Sequence, residues 1–209
     1  MTVGNRGAGG IARRWMAVVA LLLLAGAGVA AWWNRDELAD RFFRPGEPPP
    51  EAVETAREKA GTIALEPGRA AKMVAQLHAR LNDLVGWGRA RSVDWERLAR
   101  EEPGLTEPLD QLVGATADPK LKADFQVARE LIRRAVAERD SRALLYAHRV
   151  LHDLDCRVFE VHCTETYWGF TVSLEGSDNP AVRYLGDDHP IRAYLREQGA
   201  GNEQDASAQ

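Results

Sequence analysis

The stretch "DPKLKADFQVARELIRRAVAERDSRALLYAHRVLHDLDCRVF", residues 118–159, decides the fold. Asp118–Pro119 starts a helix by two mechanisms at once. The aspartate supplies a side-chain acceptor at the cap, and the proline ring pre-sets the first helical dihedral. Behind it Leu121, Phe125, Ala128, Leu131, Ile132, Ala135 and Val136 recur at three- and four-residue spacing, opposite Arg129, Glu130, Arg133, Arg134 and Glu138. That is the pattern of an amphipathic helix with one apolar face. Asp140–Ser141 allows only a tight connection, so residues 119–139 and 142–157 are predicted to form an antiparallel helical hairpin.

The same periodicity extends upstream. Residues 51–60 read as a helix ending at Gly61. Residues 69–85 carry Met73, Val74, Leu77, Leu81, Leu84 and Val85 on one face before Gly86 and Gly88. Ser92 is placed to cap a short helix that Pro103–Gly104 ends, with a second short piece starting at Thr106. Downstream, Asn179–Pro180 and His189–Pro190 each signal a short helix, the latter carrying Ile191, Tyr194 and Leu195. The expectation is a mainly α protein, a small helical bundle over 51–196. Residues 158–174 form either a short β-hairpin or an irregular aromatic segment into which the helix runs, because their β-branched and aromatic residues suit both. The polar tail 197–209 is expected to be disordered.

Residues 15–33, "WMAVVALLLLAGAGVAAWW", hold no charged side chain. At 1.5 Å per residue they run to roughly 28 Å, the hydrocarbon thickness of a bilayer. Trp15 and the pair Trp32–Trp33 stand where indoles prefer the two interfaces. The segment is read as a transmembrane anchor contacting membrane lipid. The competing reading is a signal peptide, given Arg13–Arg14 ahead of it and the small residues "AGAGVA" within it. Residues 1–14 are then a cytoplasmic tail, and 34–50, ending in "RPGEPPP", a juxtamembrane segment and proline spacer. Three arginines flank each end of the span, but Arg13–Arg14 abut it. The N-terminus is therefore placed inside, and the main domain outside, the plasma membrane.

All 31 acidic residues follow this segment and face 24 basic ones there. A net-negative domain lacks the clustered Lys and Arg that neutralise phosphates, so nucleic acid is excluded as a partner. Cys156 and Cys163 are the only cysteines. An outward domain permits a disulfide between them. On one continuous helix their α-carbons would lie about 10.5 Å apart, beyond the roughly 7 Å limit, so a bridge requires the helix to end between them.

Within residues 147–156, "AHRVLHDLDC", a helical wheel sets His148, His152 and Asp155 into or beside the apolar face, with Arg149 and Asp153 on the far side. H-x3-H-x2-D lets all three polar groups converge over two turns. Two imidazoles one turn apart suit zinc or another divalent transition metal. The carboxylate would be a third ligand or would fix a histidine tautomer. The ligand set read from sequence is His148, His152, Asp155 and Cys163, with His162, Cys156 or His78 as other donors. Arg149 stands where the metalloprotease motif H-E-x-x-H requires its glutamate, so that hydrolysis is excluded. The plainer alternative has His148 and Asp155 hydrogen-bonded together or to a neighbouring helix. A third is a proton-sensing cluster.

No other constellation is complete. Ser141, Ser173 and Ser177 lack a nucleophile elbow, a Cys163–histidine pair has no third member, and Glu165, Asp187 and Asp188 read as solvated loop charge. Tyr167, Trp168 and Phe170 around Gly169 either close over the core or form a ledge for a partner protein or a cell-envelope glycan. The function expected is a non-catalytic interaction or structural module of the envelope, with metal binding and pH response as alternatives.

Overall fold

The computed structural model describes residues 46–86, 88–159 and 166–206, all within one compact unit that spans Pro45–Gln209. The apolar segment 15–33 and most of the juxtamembrane stretch lie outside the described residues, as does Cys163. Among the residues described, no helix is long and apolar enough to cross a membrane, and there is no strand. The domain is a helical bundle.

Its first helix, α1 (Pro50–Ala60), opens on a proline, has Glu51 in its first turn, and has Arg57 and Lys59 in its last. That charge order complements the helix dipole. Helix α2 (Arg69–Val85) buries Val74, Leu77, Leu81, Leu84 and Val85 along one stripe. A 3-10 turn at Arg89–Arg91 leads to α3 (Trp95–Ala115), which departs from expectation in two ways. Its cap is Asp94, whose side chain accepts from Arg97 N at 2.9 Å, rather than Ser92. It also continues through Pro103 and Pro108 as one helix. Pro108 has no N–H to offer the carbonyl of Gly104 four residues back. Arg80 of α2 takes that place, donating from Nη1 to Gly104 O at 2.6 Å. The guanidinium approaches so closely that a β-carbon at Gly104 would sit 3.0 Å from its nitrogens. A partner on another helix thus satisfies the acceptor that the proline leaves open.

The hairpin forms as the sequence requires. In α4 (Pro119–Glu138), Asp118 caps the amides of Lys120 and Leu121 at 3.1 and 2.9 Å. Arg139, at φ 51°, turns the chain, and Asp140 then caps Arg142 and Ala143 at the start of α5 (Ser141–Asp153). Helix α5 runs directly into a π turn, Leu154–Phe159. Beyond it come α6 (Val172–Glu175), α7 (Pro180–Leu185) and α8 (Pro190–Ala206). Helix α8 packs through Ile191 and Leu195 and remains helical through Ala206, where composition alone predicts disorder.

Helix α4 lies between α3 and α5; α5 packs in turn on α2. Helix α1 crosses the π turn and α6, while α6, α7 and α8 lie along α4. The described part of 158–174 is not a hairpin. The helix runs on to Phe159, and residues 166–171 have no regular structure. The reason lies in the partners of their amides, given next.

Candidate functional site

Helix α5 is enclosed on more than one side, and its polar residues divide between two faces. On the face toward α2 stand His148 and His152. Helix α2 supplies His78, and the π turn supplies Asp155. The three imidazoles form a triangle with ring centres 5.2 Å apart for His78–His148, 5.1 Å for His78–His152 and 6.2 Å for His148–His152. His78 Nδ1 donates to Asp155 Oδ2 at 2.8 Å, across 77 residues of sequence. Asp155 is 7 % exposed and His78 16 %. In the neutral tautomer that carries its proton on Nδ1, the lone pair of an imidazole is on Nε2.

The other histidines differ from His78. The His152 ring lies against the sulfur of Cys156, with Nε2 at 3.6 Å, and its Nδ1 is 3.5 Å from Asp153 Oδ1. Cys156 is disulfide-bonded. Both ring nitrogens of His148 are buried with no hydrogen-bond partner, and so is Asp155 Oδ1. Burial first, then the neighbouring His78, His152 and Arg149, pushes His148 down to about 3, so its imidazole is neutral at ordinary pH.

The structure therefore brings His148, His152 and Asp155 together, with a change of roles. Asp155 is bonded to His78 instead of joining His148, and His148 has no hydrogen bond to Asp155 or to a neighbouring helix. The π turn accounts for the difference. A widened turn breaks the register on which the helical wheel relies, and Asp155 pairs across to α2. Among the described residues, no three His, Cys, Asp or Glu side chains are gathered so as to hold a metal ion as they stand.

The opposite face of α5 corrects the wheel outright. Arg149 and Asp153, expected toward solvent, are 5 % and 0 % exposed. Asp153 accepts from Trp168 N through Oδ1 at 2.8 Å and from Phe170 N through Oδ2 at 2.9 Å. The Arg149 guanidinium lies 4.7 Å from the Trp168 ring centre and 5.1 Å from that of Phe170. A second buried carboxylate, Asp124 of α4, continues the clasp, accepting from the amides of Val172 and Ser173. Burial pushes Asp124 up to about 7, against those hydrogen bonds, which favour its charged form. Two side chains thus serve four amides of residues 168–173, where a hairpin would have used a strand.

Tyr167 and Phe170 are consequently core residues, 2 % and 5 % exposed, and Trp168 is half-buried under Arg149. Tyr167 and Phe170 therefore close the bundle and are not available as an exposed ledge, while Trp168 keeps part of its surface outside. Sequence reasoning missed the partnership of His78 with Asp155, although His78 lies on the margin of the α2 apolar face, and it missed Asp124 altogether. A carboxylate inside an apolar helix face was the available signal for the latter. No family model, curated protein or solved structure matches this chain.

Proposed function

We propose that the chain is a single-pass, membrane-anchored protein that carries its helical domain on the extracytoplasmic side, as a structural or interaction module of the cell envelope. The observation that carries this reading is the uncharged span 15–33 with Arg13–Arg14 directly before it. A disulfide at Cys156 agrees with it, since disulfides persist in oxidising compartments and are rare in reducing ones. A structural role is supported by how the domain uses its buried charge: Asp124, Asp153 and Arg149 are all engaged in holding residues 168–173 in place.

Right-side-out membrane vesicles bearing the full chain test the reading. External protease is expected to remove the domain, and Cys156 and Cys163 are expected to resist alkylation until a reductant is added. A protected domain with freely alkylated cysteines would place it on the reducing side and overturn the proposal.

A further inference from the structure

We propose that His78, His148 and His152 form a binding site for one divalent transition-metal ion of the zinc class, with Asp155 as the positioning carboxylate. The inference stands independently of which side of a membrane the domain occupies.

Four observations carry it. Imidazoles bound to one ion with metal–nitrogen bonds of about 2.1 Å have ring centres about 5 Å apart in tetrahedral geometry. The separations here are 5.1, 5.2 and 6.2 Å. Next, the hydrogen bond from His78 Nδ1 to Asp155 is the arrangement that orients metal-ligating histidines, fixing the tautomer that presents Nε2. Third, His148 has two buried nitrogens and Asp155 one buried oxygen without partners. An unmade hydrogen bond at a buried polar atom carries a substantial penalty, and an ion in the centre of the triangle would relieve it at one His148 nitrogen. Finally, the site is assembled at a π turn, a rare widening of the helix that occurs frequently at functional positions.

The ring nitrogens do not converge on one point as they stand. Binding therefore requires the rings to turn. Imidazole χ2 is a broad torsion, and His148 has no hydrogen bond to break in turning. Three nitrogen donors leave a fourth position for water, and imidazole donors suit zinc, cobalt, nickel or copper over magnesium or calcium. Because the ligands come from α2 and α5, an ion would fasten the two helices together.

The test uses the full-length chain without a histidine tag, purified in detergent, stripped with a chelator and titrated with cobalt(II) and zinc(II). One ion per chain is expected, with the visible absorption of four-coordinate cobalt and a rise in the unfolding temperature with zinc. His148→Ala and, on the separate helix α2, His78→Gln should each weaken binding by at least tenfold while keeping the helical circular dichroism. Asp155→Asn should weaken it by about ten- to a hundredfold without abolishing it. Failure of the folded parent to take up cobalt or zinc stoichiometrically would overturn the proposal. So would binding that is unchanged in folded His148→Ala or His78→Gln; a water-filled polar cluster would give that result. If one variant does not fold, the other decides the question.

Discussion

Helix α5 has two polar faces that follow opposite rules. On the side of residues 166–173, Asp153 places both oxygens on backbone amides and Arg149 is stacked among aromatic rings. On the side of α2, His148 has two nitrogens and Asp155 one oxygen with nothing to bond. Burial is comparable, yet one face is stapled, with every charged group engaged and only the Thr171 and Ser173 hydroxyls beside it lacking a partner, while the other face leaves an imidazole and a carboxylate oxygen open. Buried polar groups are normally satisfied, so the stapled face reads as architecture and the open face as a site. The difference separates charge that holds the chain together from charge kept ready for something else.

Breaking the stapled face should have the largest effect. Asp153→Ala deprives the amides of Trp168 and Phe170 of their acceptors, and stability should fall by about 3 kcal/mol or more. Denaturant unfolding measures the loss, and hydrogen exchange should quicken first at 168–172.

Acid should separate the faces next. His148 is held at about 3, below its ordinary 6.5, so it remains neutral in the fold and takes up a proton on unfolding. Its titration costs the fold nothing above pH 6.5 and weakens it progressively as pH falls toward 3. The loss should be on the order of 2 kcal/mol by about pH 4.5. Asp124 runs the other way. Raised from 3.8 to about 7, it favours the fold at low pH and weakens it as pH rises through that window. The two windows overlap and largely offset each other in the parent between about pH 4 and 6.5, so across pH 4–8 stability should fall with rising pH in His148→Leu and rise with pH in Asp124→Asn.

A smaller effect is expected from Arg149→Lys. The charge is kept, but the planar group that lies over Trp168 and Phe170 is lost, for about 1–2 kcal/mol in the same denaturation assay.

These faces also mark where the sequence was legible. The hairpin of α4 and α5 could be read because its signals are local: Asp118–Pro119 at the start, an apolar stripe, and Asp140 at the turn. The continuity of α3 could not, because the group that rescues the Pro108 gap is Arg80, on another helix. A wheel assumes one buried face, and so it placed Asp153 and Arg149 in solvent when a later segment covers them. It located His148 and His152 correctly beside the core. It could not foresee that a π turn would pair Asp155 with His78, since that contact depends on tertiary packing across 77 residues.

The most direct measurement is equilibrium denaturation of the full-length chain and of His148→Leu, each in chelator-treated buffer at pH 7 and again with zinc. Replacing an unpartnered buried polar ring with an apolar side chain should leave metal-free stability unchanged or raised, in contrast to Asp153→Ala. Zinc should then stabilise the parent and not the variant. A loss of about 2 kcal/mol or more in metal-free His148→Leu, together with no response of the parent to zinc, would show that the open face is architecture like the other and contradict the account.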